Sequence, residues 1–128
     1  VKPVYVIGTC DTKEAELRYA VAQVIAAGAP ALLVDISTTP STAQADVTPE
    51  MVARHHPQGA DAVLGHADRG RAVTAMAEAL TQFLLSRHDI GAVLGCGAYL
   101  AGLVRTQVGD FHLEESHSVQ EVLDALSA

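Results

Sequence analysis

Apolar positions along this chain follow two spacings. Val4-Tyr5-Val6-Ile7, the run from Ala31 to Ile36 and the run from Ile90 to Leu94 are short, largely apolar and rich in β-branched residues. That is the pattern of strands buried on both faces, and it predicts strands at Pro3 to Ile7, Ala31 to Ile36 and Ile90 to Leu94. Elsewhere the apolar positions recur every three or four residues. Leu17, Tyr19, Ala20, Val21, Val24 and Ile25 form one such set and predict a helix from Lys13 to Ala27 with this stripe facing the core. Val73, Met76, Ala77, Leu80, Phe83 and Leu84 form the clearest set and predict a helix from Arg69 to Ser86.

Punctuating residues set the boundaries. Asp11 or Thr12 is placed to cap the first helix, and Gly28 with Pro30 ends it. Ser37 to Asp46 reads as a long polar loop. Thr48-Pro49-Glu50 is a cap, a proline at the first helical position and an acidic first turn, opening a short helix from Pro49 to His55. Ala60 to Leu64 is a short strand or a loop, and Gly65 to Gly70 is a polar turn in which Asp68 caps the long helix. A helix is expected at Ala98 to Val104 and a terminal one at Val119 to Leu126, with Val108 to Leu113 ambiguous. Alternating strands and helices predict an α/β class: a single Rossmann-like domain, a parallel sheet with helices on both faces.

In such a sheet the turns that follow the strands share one edge, where ligands bind. Here they are Thr9-Cys10-Asp11-Thr12-Lys13, Asp35-Ile36-Ser37-Thr38 and Gly95-Cys96-Gly97, and the turn Asp68-Arg69-Gly70 can reach the same edge. The first also opens a helix, whose free N–H groups and positive dipole end would favour an anion. This inventory of hydroxyls, carboxylates, Lys13, Arg69 and glycine backbone suits a phosphorylated small molecule with a divalent cation. Asp35 lies 24 positions after Asp11, a spacing compatible with an acidic residue that takes a ribose hydroxyl. Each residue also has a plainer role, with Asp11, Thr12 and Asp68 as helix caps and Lys13 as a solvated first-turn residue.

Composition narrows the classes. The 128 residues carry 8 basic and 15 acidic side chains, a net charge of −7, which argues against nucleic acid as a general partner. No apolar run reaches the ~18–20 residues of a membrane helix, so no membrane partner and a cytoplasmic location are expected. Cys10 and Cys96 supply neither a disulfide framework nor a zinc pattern and read as two small, partly buried thiols, with a nucleophilic or redox pair as the alternative. His55, His56, His66, His88, His112 and His117 match no zinc spacing and read as surface residues. Neither a P-loop nor a nucleophile elbow occurs.

Val4-Tyr5-Val6-Ile7-Gly8-Thr9-Cys10-Asp11-Thr12-Lys13 with Glu16 and Leu17, then Val34-Asp35-Ile36-Ser37-Thr38, then Asp68-Arg69-Gly70-Arg71-Ala72-Val73 with Met76, then Ile90-Gly91-Ala92-Val93-Leu94-Gly95-Cys96-Gly97 resemble, in that order, the motifs of an ATP-binding family. It includes the amino-terminal domain of the tomato mosaic virus resistance protein and many bacterial relatives. The resemblance covers Val1 to Gly97. It implies binding of ATP with Mg²⁺ on a domain capable of homo-oligomerisation. The matching positions are Thr9, Asp11, Thr12, Lys13, Asp35, Ser37, Thr38, Asp68, Arg69, Gly95 and Gly97. On this reading Asp11 or Asp35 holds metal or ribose, Thr9, Thr12 and the backbone of Gly95 and Gly97 hold phosphate, and Lys13 or Arg69 neutralises charge. The sequence departs from the family where Ala98-Tyr99-Leu100-Ala101-Gly102 replaces a glycine- and serine-rich loop, and Arg105 to Ala128 has no counterpart in it. The chain is therefore expected to be a fragment of a longer two-domain member. Two other classes stay open: a protein-interaction or oligomerisation module, and part of a small-molecule hydrolase or lyase completed by another domain. No general base stands out, so whether the protein is an enzyme is open too.

Overall fold

The computed structural model describes residues 2–39, 43–65 and 68–95. They form β1 (Val4–Gly8), α1 (Cys10–Ala26), β2 (Ala31–Asp35), α2 (Pro49–Ala53), α3 (Asp61–Leu64), α4 (Arg69–Ser86) and β3 (Ala92–Gly95). The strands pair in parallel in the order β2-β1-β3, with Gly8 opposite Asp35 and Ile7 opposite Gly95. The helices expected at Ala98 to Val104 and Val119 to Leu126, and the ambiguous Val108 to Leu113, lie outside the described residues.

The chain steps one way from β1 to β2 and the other way from β2 to β3. With crossovers of a single hand, that reversal sends the two connecting helices to opposite faces. Side chains agree. A Cβ on Gly8 would lie 2.7 Å from Leu17 Cδ2, so the Val4, Val6 and Gly8 face of β1 meets α1. On the other face the Tyr5 ring meets Phe83 of α4, centroids 6.4 Å apart. Covered on both sides, every residue of β1 is buried. This is the predicted α/β architecture.

Several boundaries and one stripe differ from expectation, most of all the start of α1, at Cys10 and not at Lys13. On α1, Leu17, Ala20 and Val24 are buried, but Tyr19 is 67% and Ile25 57% exposed. At ~100° per residue Tyr19 lies roughly opposite Leu17, so the stripe is narrower than the apolar count suggests. Residues 60–64 contain a helical turn, α3, instead of a strand or loop, α2 stops at Ala53 and not His55, and β3 starts at Ala92. The long helix matches its predicted bounds. Met76, Leu80, Phe83 and Leu84 are buried as expected, joined by Ala72, Ala75 and Ala79, and α2 and α3 pack against it.

Caps follow local chemistry. Thr48 Oγ1 accepts the Met51 N–H, and Asp68 Oδ1 accepts the Arg71 N–H, as the sequence predicts. At the end of α1, Gly28 adopts φ +98. Its N–H reaches the Ile25 carbonyl while that of Ala29 reaches Val24, the paired bonds of a glycine-terminated helix. The outer side of β2 carries a bridge that the loop reading missed. Val47 N–H donates to the Leu33 carbonyl, Asp35 N–H donates to the Val47 carbonyl, and Asp46 Oδ2 accepts the Leu33 N–H at 2.8 Å.

At the amino edge of the sheet, the buried Tyr5 hydroxyl donates to Asp89 Oδ1 at 2.5 Å and accepts from Arg87 Nε at 2.9 Å. The Arg87 guanidinium lies over both the Tyr5 and Phe83 rings, a favourable cation–π placement. No helix among the described residues is long and apolar enough to cross a membrane.

Two outcomes follow. In Gly91→Ala the new Cβ would sit 2.5 Å from the Lys2 carbonyl oxygen and 3.0 Å from that of Pro3, backbone atoms that cannot swing aside. The expected loss is about 1–3 kcal/mol in urea unfolding, and wild-type stability would contradict it. The hydrogen bond from Tyr5, and secondarily Arg87, holds the Asp89 carboxyl below its ordinary range. A depressed folded-state value gives stability that is fully present above the unfolded value, ~4, and fades as pH falls through the folded one. The stability gap between wild type and Asp89→Asn should therefore be constant from pH 7 to 5 and shrink on further acidification.

Candidate functional site

The chain leaves β1 at Gly8 and enters α1 through Thr9, which is extended (φ −98, ψ 99) and makes no side-chain cap bond. Asp11 and Thr12, expected as caps, are already inside the helix. The cap comes instead from the end of β2. Asp35 Oδ1 accepts the Cys10 N–H at 3.1 Å, and Ser37 Oγ accepts the Asp11 N–H at 3.0 Å. The N–H groups of Thr12 and Lys13 donate to the Thr9 carbonyl. The free N–H groups expected at this helix start are thus all engaged. The register explains it: Gly8 and Asp35 end their strands side by side, so the first turn of α1 lands on the Asp35 carboxylate, and buried donors there must find acceptors. The turn is set off from the rest of α1 by non-helical backbone at Lys13 (φ −131, ψ 26).

Asp35 is 1% exposed. Its Oδ1 also accepts the Ser37 N–H at 2.9 Å and lies 2.5 Å from Ser37 Oγ, which is 3.2 Å from Asp11 Oδ1. One serine oxygen therefore links both carboxylates, and its single proton serves one of them at a time. The positive end of α1 adds to the stabilisation of the Asp35 charge. Cys10 is buried beside it. Burial first, and the Asp35 charge second, push its thiol up to about 12. It stays protonated near neutrality, so it fits the buried-thiol reading and not a nucleophile. Cys96 lies outside the described residues.

A cavity of about 450 Å³ opens at this edge, lined by Asp35, Ser37, Thr38, Thr39, Ala43, Thr48, Pro49, Glu50 and Leu64. The predicted candidates Asp35, Ser37 and Thr38 come together here, with Asp11 joined through Ser37. Thr39, Thr48 and Glu50 were missed as site residues. The motif Thr48-Pro49-Glu50 was legible only as a helix start, and nothing in its spacing ties it to β2. The far wall is tied to α1 by Arg18, whose Nη2 donates to the Gln44 carbonyl at 2.9 Å and Nε to Glu14 at 3.1 Å.

Other candidates stand apart from the cavity. Thr9 and Thr12 pair through their hydroxyls at 2.9 Å, and Lys13 faces Glu16 at 3.9 Å. Asp68 caps α4, and Arg69 is exposed. Gly95 flanks β1 on the side away from β2, and Gly97 lies outside the described residues. Among the described residues no group of three metal-ligating side chains could hold an ion, so Asp11 and Asp35 do not make a metal centre by themselves.

The histidines need one correction. His55 is exposed, with its ring edge-on to Phe83, and His88 is exposed. His56, expected at the surface, is buried. Its Nδ1 accepts the Gln58 N–H, which places the proton on Nε2, 2.8 Å from Glu78 Oε2. Both ring nitrogens are engaged, so His56 ties the α2–α3 connection to α4. His66, His112 and His117 lie outside the described residues.

The signature of the amino-terminal domain of the uncharacterised protein family UPF0261 matches residues 2–110. The chain belongs to the UPF0261 family. It is 45% identical over 97 residues to a UPF0261 protein of Mesorhizobium japonicum and 47% identical over 97 residues to one of Rhizobium meliloti, each match covering 76% of this chain and 24% of the relative. This UPF0261 chain therefore spans about a quarter of the length of those relatives. A shorter likeness, 49% identity over 37 residues, links 29% of the chain to 12% of a tRNA pseudouridine synthase B from Syntrophomonas wolfei.

The Asp35 network makes two measurable demands. Asp35→Ala leaves the buried Cys10 and Ser37 N–H groups without an acceptor, at about 1–3 kcal/mol for each such group. Urea unfolding should show a loss in that range or above it, and a change below ~0.5 kcal/mol would contradict the capping role. In a Cys96→Ser background, native Cys10 should react with iodoacetamide at pH 8 at least about a hundredfold more slowly than after unfolding.

Proposed function

We propose that this UPF0261 domain binds a nucleotide, ATP with Mg²⁺, at the carboxyl edge of its sheet, with the cavity beside β2 as the point of entry. The observation that carries this reading is the buried Asp35 lining that cavity. All three of its internal bonds fall on Oδ1, so Oδ2 is left to meet a ligand. The resemblance of the four motifs to an ATP-binding family supports the same reading. Asp11 and Asp35 are too few to build a Mg²⁺ cage. The ion would arrive on the nucleotide phosphates and take one or two carboxylate oxygens here, which is how Mg²⁺ is usually held. Lys13 has only a long, exposed contact with Glu16, worth little, and is free to turn toward phosphate.

The likeness to tRNA pseudouridine synthase B covers too little of that enzyme to bring a reaction with it, and the acidic balance of the chain opposes an RNA-binding surface. A second reading, a protein-contact module, rests on the exposed Tyr19 and Ile25 of α1. Apolar residues exposed singly are common on ordinary surfaces, which leaves the cavity as the stronger feature.

The test is a thermal shift with ATP, with and without Mg²⁺. A ligand at a hundred times its dissociation constant adds about 2.7 kcal/mol to the folded state, visible as a rise in Tm. Thr39→Tyr, at an exposed position on the cavity rim, should abolish the rise and leave the Tm of the free protein unchanged. No rise at millimolar ATP in the wild type would remove the nucleotide reading.

A further inference from the structure

We infer that the groove between α4 and the α2–α3 connection is a second binding site, for a short peptide of two or three residues with both termini free. It shares no lining residue with the cavity beside β2 and does not rest on the nucleotide reading.

The groove has a volume of about 350 Å³, within the range of small-ligand sites. One wall is a stripe of α4. Arg71, Thr74, Ala75 and Glu78 line it, at the spacings of three and four that keep residues on one helix face. Ala62, Gly70 and Ala75 carry little or no side chain and leave room between the polar groups. Arg71 and Glu78 are seven positions apart, roughly 10 Å along the helix axis. No ion pair joins them, and the Arg71 guanidinium has no partner among the described residues.

Glu78 is exposed, and an exposed carboxylate ordinarily swings in water. Here the buried His56 donates from Nε2 to Oε2 at 2.8 Å, and the Gln58 N–H holds the other side of its ring. The carboxylate is thus positioned before any ligand arrives, and Oε1 is left to accept. A fixed anion and an unspent fork of donors at opposite ends of one groove suit a ligand that carries both charges, well separated. Each residue of an extended peptide spans about 3.5 Å, so two or three bridge the interval where a single amino acid falls short. The peptide ammonium would meet Glu78, and its carboxylate the Arg71 fork, whose parallel N–H groups match two oxygens. The middle of the groove suits amides. Thr74 gives its proton to the Gly70 carbonyl at 3.0 Å and so presents an acceptor to an amide N–H, while the Gln58 side chain offers both a donor and an acceptor.

Chemical-shift titration of the isotope-labelled chain with trialanine tests this. Resonances of Arg71, Thr74 and Glu78 should shift and saturate with a Kd of about 1 mM or below. N-acetyl-trialanine and the carboxyl-terminal amide of trialanine should each bind at least about tenfold more weakly, since each lacks one charge-assisted contact. The same is expected of 6-aminohexanoate, which keeps both charges and lacks the amides. Arg71→Gln, at an exposed position, should weaken trialanine by a similar factor, keep the wild-type Tm and leave binding of the carboxyl-terminal amide unchanged. No saturable shift at about 10 mM trialanine, equal affinity for either blocked peptide or for 6-aminohexanoate, or full affinity in Arg71→Gln would overturn the inference. ATP with Mg²⁺ should not displace the peptide, and displacement would overturn a separate site. The nucleotide reading stands or falls on its own thermal shift.

Discussion

The Asp35 carboxylate is the contact on which the carboxyl edge depends. It sits at the last position of β2, level with the last residue of β1, and a single oxygen of it holds the first N–H of α1 and the turn that follows β2. Hydrogen bonds to a charged group contribute about 1.5–3 kcal/mol each. The same bonds offset what burying an ion would otherwise cost. They also fix register: sliding β2 by one residue would bring Val34 or Ile36 to this place, and neither side chain can accept a hydrogen bond. Strand pairing, helix start and cavity floor thus share one side chain.

The sheet is asymmetric in consequence. Its amino edge is closed by Tyr5, Arg87 and Asp89, where hydroxyl, cation and carboxylate satisfy one another beneath the Phe83 ring. Its carboxyl edge is also hydrogen-bonded within itself, yet Asp35 uses only one oxygen for that purpose and leaves space beside it. The difference between a clasp and a candidate site lies here in one unspent acceptor and the cavity next to it, since both edges contain charged groups.

What the sequence made legible was what depends on neighbours in the chain. Continuous apolar runs located the strands, and α4 was readable to the residue because Asp68 caps it locally and its large side chains repeat cleanly. The start of α1 was not, since its cap lies 25 residues away in Asp35 and appears only when two strands pair. Buried Ala72, Ala75 and Ala79 went unnoticed because alanine is equally at home on a surface. His56 was placed outside for want of any local sign of Glu78, its partner on α4. At the site, Asp35, Ser37 and Thr38 could be named from their place after a strand. Thr39, Thr48 and Glu50 could not, because a loop brings them to β2 by a path that no periodicity encodes.

The bridge at Val47 has a bearing on assembly. Leu33 and Asp35 turn their backbone groups away from β1, and those groups are already engaged by Val47 and the Asp46 carboxylate. A row of unpaired backbone groups is what recruits another strand, and at Leu33 and the Asp35 N–H that row is already occupied, by a loop residue and a side chain standing in for a neighbouring strand.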